Sequence, residues 1–293
     1  LADQDSVTEV GFGSANALLG LAGRGFRKLT FNLTLNAACG AAPCLLNQAW
    51  MDINAASAFR LRIGKFKTPM HWAFQVRVGQ TLMPRPPASL TSRVNLPFGL
   101  NAVNPTMLTG FDTGVMAHGT FARGKLEYQV GVFSGEGIAG NAPTSTLSDD
   151  LKIPGLLYAG RLAYAPFGPM PLREGGDERQ PDLRLLVGAS ISYNVEANAE
   201  SSNDLRAGIE FALSRGPFYF SLEAYLLQMT FVERLRGTPS QLFAGGATQL
   251  AYRFKFGLEP VVRFEVFERN STTALGLSLV PAVGLNYYIF DQN

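Results

Sequence analysis

The sequence predicts an antiparallel β-barrel that crosses a membrane with its strands, and three observations carry this prediction. Hydrophobic residues make up 46% of the 293 residues and charged residues only 16%, whereas an ordinary soluble domain carries about 25% charged residues. No stretch provides the roughly 20 consecutive apolar residues of a membrane helix. Apolar and polar residues instead alternate in segments of about ten residues, which is the length of a barrel strand.

Alternation is clearest in segment 258–268, where one face is apolar and the other mostly charged (Leu258, Val262, Phe264 and Val266 against Glu259, Arg263 and Glu265). The same contrast recurs in other segments, where the second face repeatedly carries Lys, Arg, Glu, Asn or Thr. Such a face suits a water-filled lumen better than the dry core of a soluble sandwich or a lipocalin-like barrel. We therefore expect one barrel domain over 1–293.

The pattern predicts thirteen strands, at 6–20, 26–37, 46–53, 58–66, 110–121, 124–134, 155–165, 184–194, 204–214, 217–229, 244–255, 258–268 and 275–289. Short turns such as 22–25 and 54–57 alternate with longer connections, of which 67–109 is the longest. This is the pattern of short periplasmic turns and long outer loops in outer-membrane barrels. Only 166–183 is long where a short turn is due. Because bacterial barrels have even strand numbers, we expect strands to be missing at one or both ends.

Four groups of residues, in order along the chain, carry a resemblance to a known family. They are AWMD at 49–52 with LRIGKFKTP at 61–69, FDTGV at 111–115 with GKLEYQVGVFSG at 124–135, GLEPVVRFE at 257–265, and GLNYY at 284–288. Their order and spacing resemble the phosphate-selective porins of the O/P type along most of the chain. The resemblance implies a sixteen-stranded, usually trimeric barrel in the outer membrane of a Gram-negative bacterium. It also implies that 67–109 is the third outer loop, which folds into the lumen.

Basic residues in and beside this loop are the predicted pore constriction. The loop carries four cations and no acid, and two arginines lie on the lumen face of the strand before it (Lys67, Arg77, Arg85 and Arg93, after Arg60 and Arg62). Rings of Arg or Lys select anions, and a low-dielectric wall strengthens their field. The alternative is a surface-exposed loop with solvated charges.

Further cations fall on lumen faces elsewhere in the wall: Arg161, Arg184, Arg206, Arg253, Lys255 and Arg263. Acids fall on the same faces: Asp52, Asp112, Glu127, Glu210, Glu223, Glu259 and Glu265. We expect most of these charges to brace neighbouring strands as ion pairs. Arg60 and Arg62 are the exceptions, because no acid lies near them in sequence.

Other chemistry finds little support in the sequence. Cys39 and Cys44 either form a small-loop disulfide or stay free, and with two distant histidines they do not make a zinc site. His118 and Asp112 lie about 20 Å apart along one strand, too far for a catalytic pair. No phosphate loop or nucleophile motif is present, and no basic block suggests nucleic acid. We expect no enzyme, cofactor or metal.

These observations predict a passive outer-membrane pore for small solutes, with a preference for anions. Phosphate as the solute is what the family resemblance implies. The expected partners are outer-membrane lipids, small anionic solutes, and either two further copies in a homotrimer or another membrane component. The alternative function is a structural barrel that anchors a partner, or is completed by one, in a larger surface complex.

Overall fold

Thirteen antiparallel strands form a single sheet in chain order. The computed structural model describes residues 18–25, 28–36, 46–76, 80–83, 111–134, 156–177, 179–195, 202–231, 240–268 and 277–289. The strands are β1 (Leu18–Gly25), β2 (Leu29–Asn36), β3 (Leu46–Ala56), β4 (Phe59–Lys67), β5 (Phe111–Phe121), β6 (Leu126–Phe133), β7 (Leu157–Tyr164), β8 (Arg184–Asn194), β9 (Ser202–Arg215), β10 (Phe218–Phe231), β11 (Ser240–Tyr252), β12 (Leu258–Glu268) and β13 (Leu277–Tyr287). A single helical turn, α1 (Trp72–Gln75), follows β4. The described helices are all too short to span a membrane.

The alternation of the sequence corresponds to the two faces of the sheet. In β8 the outward residues Val187, Ile191 and Tyr193 are exposed, whereas the inward Ser190 and Ser192 are buried. An apolar outer face and a polar inner face are what a strand needs between lipid and a lumen. The predicted antiparallel up-and-down barrel fold is confirmed; the sixteen-strand total stays an expectation of the family resemblance.

The sheet curls so that distant strands share one interior. Phe66 of β4 packs in one buried cluster with Phe133 of β6, Tyr225 of β10 and Phe243 of β11. A second cluster joins inward residues of β8, β10 and β12 to Trp72, Leu82 and Met170, which lie in connections between strands. The lumen is therefore partly filled by two segments that enter it.

Observed and predicted strand boundaries agree most closely where alternation is strongest, and β8 and β12 match their predicted limits. The predicted turn at 22–25 is wrong, since β1 continues to Gly25; residues 6–17 of the predicted first strand lie outside the described residues. The predicted turn at 54–57 is also misplaced, because Asn54 still pairs with Arg60 and β3 ends at Ala56 after a bulge. β11 ends at Tyr252 rather than at 255, because residues 253–257 form a turn with Gly257 at φ 89°.

Candidate solute path through the lumen

Residues after β4 turn into the barrel and bind the inner face of the opposite wall. The indole Nε1 of Trp72 donates a hydrogen bond to the Tyr219 hydroxyl oxygen (3.1 Å), and the backbone N–H of Ala73 donates to Oε1 of Glu223 (3.0 Å). Both acceptors belong to β10. Because α1 is a single turn, its first backbone N–H groups have no helical partner, and the Glu223 carboxylate accepts one of them.

Small residues in the wall make room for this entry. A Cβ atom at Gly208 of β9 would lie 2.4 Å from Cε1 of His71, so only glycine allows the buried imidazole to approach. His71 itself has φ 37°, a conformation uncommon for a residue with a side chain. Burial, together with the positive charges of Arg206 and Arg161, lowers the pKa of His71 to about 3. The imidazole is therefore neutral at physiological pH.

The same segment continues across the lumen to the last strands. The backbone N–H of Leu82 donates to Oε2 of Glu174 (2.8 Å), and the backbone oxygen of Leu82 accepts from Nδ2 of Asn286 in β13 (2.9 Å). The described parts of this segment, 68–76 and 80–83, therefore contact the wall from β9 to β13.

The connection between β7 and β8 also folds inward, which accounts for its unexpected length. Besides accepting from Leu82, Glu174 of this connection donates its backbone N–H to the backbone oxygen of Gln80 (2.9 Å). The Glu174 side chain also accepts a hydrogen bond from Nε2 of Gln249 in β11 (3.0 Å). The backbone N–H of Gly176 donates to Oε1 of Glu259 in β12 (3.0 Å). Burial raises the pKa of the Glu174 carboxyl above its ordinary value.

These two segments fill the side of the lumen next to β8–β13 and leave a cavity beside β1–β6. The cavity measures about 680 Å³, and Gln75 of α1 and Leu172 of the β7–β8 connection are among its boundaries. Among the described residues, its lining includes the cations Arg60, Arg62 and Lys67, the imidazole of His118, and one acid, Glu127.

The three basic residues of β4 that line the cavity differ in their pairing. Arg62 forms a bidentate ion pair with Asp52 (2.8 and 2.7 Å) and lies over the Trp50 ring, 4.0 Å from its centroid. The expectation that Arg62 is an exception to ion pairing is therefore wrong, because the β3–β4 register places Asp52 directly opposite it. Nζ of Lys67 donates to the backbone oxygen of Val76. The Arg60 side chain makes no hydrogen bond or ion pair with any described residue.

Most of the other predicted wall cations lie among inward contacts. Arg161 binds Glu210 through Nε (2.9 Å) and Glu127 through Nη1 (2.7 Å), and Nε of Arg263 lies 3.1 Å from Oε1 of Glu265. Two further arginines are held otherwise: Arg206 is buried with its guanidinium 4.8 Å from the Tyr225 ring centroid, and Arg184 donates to Phe167 O (3.1 Å).

Two predicted wall cations are placed differently. Because β11 ends at Tyr252, Arg253 and Lys255 lie in the β11–β12 turn instead of the wall. Arg253 stacks over Tyr288, 3.9 Å from its ring centroid, and Lys255 is exposed. Arg77, Arg85, Arg93, Cys39 and Cys44 lie outside the described residues.

One contact that the sequence did not reveal joins a histidine to an acid on another strand. Nε2 of His118 in β5 lies 3.1 Å from Oδ1 of Asp52 in β3. Asp52 is therefore held by both Arg62 and His118, which makes it a bracing acid of the wall. Among the described residues, no group of three or more His, Cys, Asp or Glu side chains could hold a metal ion.

A sequence comparison identifies the family. The sequence profile of "Phosphate-selective porin O and P" matches residues 2–293. The chain belongs to this porin family. The protein is thus a channel of the Gram-negative outer membrane, which agrees with the predicted location, and the alternative of a structural barrel is not favoured. No curated protein matches the sequence significantly.

Solved porins share the fold of this family member at low sequence identity. An anion-selective porin from Comamonas acidovorans superposes with a TM-score of 0.56 at 12% identity, covering 94% of this chain and 74% of that one. Salmonella typhi OmpF in complex with daunomycin gives a TM-score of 0.54 at 13% identity, covering 97% of this chain and 82% of that one. Both likenesses support the barrel architecture.

Proposed function

We propose that this porin is an anion-preferring pore whose solute path runs beside β1–β6. The observation that carries the proposal is Arg60, a cation that lines the cavity without a partner among the described residues. The charge of Arg62 is offset by Asp52, and Lys67 adds a further cation near the entrance of the inward segment. Among the described lining residues, Glu127 is the opposing acid, and it is bound by Arg161.

The physical basis is the field of unpaired charge in a narrow aqueous space. A cleft lined mainly by one sign of charge, with low-dielectric walls, concentrates ions of the opposite sign. Rings of Arg and Lys select anions in pores for this reason. An anion-selective porin has a similar fold, which agrees with the proposal. We further propose that Arg77, Arg85 and Arg93 extend the basic path in the 67–109 loop.

The reversal potential of the reconstituted protein in a planar bilayer under a KCl gradient tests this function. We expect chloride to permeate more readily than potassium, and this preference to weaken when Arg77, Arg85 and Arg93 are all changed to Gln. Arg184→Gln is the matched control, because Arg184 binds Phe167 O away from the cavity. Preference for potassium in the wild-type protein would contradict the proposal.

We also propose that the protein assembles as a homotrimer, as the family resemblance implies. The mass of the complex in detergent, measured by light scattering with detergent subtraction, tests this independently of conductance. A monomeric mass would contradict trimerisation and leave the proposed pore unaffected.

A further inference from the structure

The cavity has a neutral polar wall beside its basic residues, and this wall follows two strands. Thr30, Asn32 and Thr34 of β2 face the cavity with Gln48 of β3, while Gln129 of β6 and Gln75 of α1 lie on its other sides. A solute that is only a small inorganic anion needs cations and donors. The amide groups of the cavity offer hydrogen-bond acceptors as well as donors.

The hydrogen bonds of these amides show what remains for a solute. The Thr34 hydroxyl donates to Oδ1 of Asn32 (2.9 Å), and Nε1 of Trp50 donates to Oε1 of Gln48 (3.2 Å). The side-chain oxygens of Asn32 and Gln48 therefore already accept a hydrogen bond, whereas their NH2 groups have no partner among the described residues. This part of the wall offers donors.

The opposite side offers acceptors. Nε2 of Gln129 donates to Glu127 (2.8 Å), and Nε2 of Gln75 donates to Thr68 O and Met70 O (both 3.0 Å). The side-chain oxygens of both glutamines have no partner among the described residues. An inorganic anion makes little use of such oxygens, because it presents almost only acceptors itself. A hydroxyl group both donates and accepts, so it can pair with either side of the cavity.

We propose that the path is built for organic anions that carry several hydroxyl groups, such as sugar phosphates or sugar acids. The phosphate or carboxylate lies at Arg60, and the hydroxyl groups bind the amides of Asn32, Gln48, Gln129 and Gln75. A cavity of about 680 Å³ falls within the usual size range of small-molecule sites. This inference rests on the proposed anion preference and adds the solute class.

Block of the chloride current by added solutes tests the proposal, with glucose 6-phosphate and inorganic phosphate as probes and glucose as the neutral comparison. If two hydroxyl contacts contribute, each at the lower end of the range for a net hydrogen bond, the half-blocking concentration of glucose 6-phosphate is about fivefold below that of phosphate. In the double variant Asn32→Leu/Gln129→Met the difference between the two values shrinks, because only glucose 6-phosphate loses contacts. Arg60→Gln weakens block by both anions.

Three results would overturn the proposal. In the wild type, phosphate and glucose 6-phosphate could have equal half-blocking concentrations, or neither anion could block the current. The double variant could also weaken block by the two anions to the same extent. Unchanged chloride preference and heat-modifiable electrophoretic mobility confirm that the double variant is folded. Failure of the underlying anion preference is seen separately, as potassium preference in the reversal potential.

Discussion

The ion pair between β7 and β9 allows the clearest test of how the lumen is braced. Arg161 is 4% exposed and Glu210 is 2% exposed, and the guanidinium Nε lies 2.9 Å from the carboxylate. The substitution Arg161→Met keeps most of the side-chain volume but removes the charge. Glu210 is then a buried carboxylate without its cation, and Glu223 lies directly opposite it on β10.

The expected cost follows from this burial. Removing one partner of a buried ion pair destabilises a protein by about 3–5 kcal/mol, because the other charge stays buried and unpaired. The contact with Glu127 adds little, since that side chain is 36% exposed and exposed pairs contribute at most about 1 kcal/mol. In the double variant Arg161→Met/Glu210→Gln the stranded charge is gone, so it should be more stable than the single Arg161→Met variant.

Urea unfolding in lipid vesicles, followed by tryptophan fluorescence, measures these differences. The two single variants and the double variant form a double-mutant cycle, which isolates the coupling between the residues. An Arg161→Met variant as stable as the wild type would contradict this expectation, and so would losses of the two single variants that simply add in the double variant.

Three further predictions concern the segments that enter the lumen. Trp72→Ala removes a buried anchor and should lower the free energy of unfolding by about 3–5 kcal/mol. Proteolysis within 67–109 should become faster because the loop is released, and an unchanged rate would contradict the role of Trp72 as an anchor. Replacing residues 170–176 by two glycines should raise the single-channel conductance, since this segment bounds the cavity; unchanged conductance would argue against that role. Because the pKa of His71 is lowered to about 3 in the folded protein, the unfolded state binds the proton first as pH falls below 6.5, so stability declines towards pH 3. His71→Gln should show a smaller loss of urea resistance between pH 7.5 and 4.5, and an identical loss would contradict it.

Alternation predicted the strands well because the two faces of a barrel meet lipid and water, which differ sharply. It predicted β8 and β12 to the residue. It failed for β1, where Gly20, Ala22 and Gly23 give no polarity contrast, and at the β3–β4 turn, where Ala55 and Ala56 suit a strand or a turn equally. Small residues carry no information about which face they occupy.

The site was less predictable because pairing depends on register. Arg60 and Arg62 occupy equivalent positions in the sequence pattern, yet one is unpaired among the described residues and the other is held by Asp52. The turn predicted at 54–57 would place Arg62 opposite Ala49. The actual turn at 57–58 shifts the register so that Asp52 lies opposite Arg62. The error of a few residues in the predicted turn therefore left both arginines unpaired in the prediction, whereas in the structure Asp52 holds Arg62.

In the sequence, the inward fold of the β7–β8 connection is indicated only indirectly, by the unexpected length of this connection. Its contacts are long-range: Glu174 binds Leu82 and Gln249, and Gly176 binds Glu259. Local sequence patterns do not encode such partners, so the shape of the remaining cavity could be known only from the structure.

The most direct test of the proposed anion path compares two changes on β4 and its neighbour. Arg60→Gln removes an unpaired charge, whereas Asp52→Asn/Arg62→Gln removes a pair whose charges cancel. For an ion about 7 Å from Arg60 in a water-filled pore, the lost interaction changes ion permeability by about threefold. The chloride-to-potassium permeability ratio, measured from reversal potentials, should fall at least that much in Arg60→Gln and stay near the wild-type value in the double variant. A ratio unchanged by Arg60→Gln, or lowered mainly by the double variant, would contradict the account.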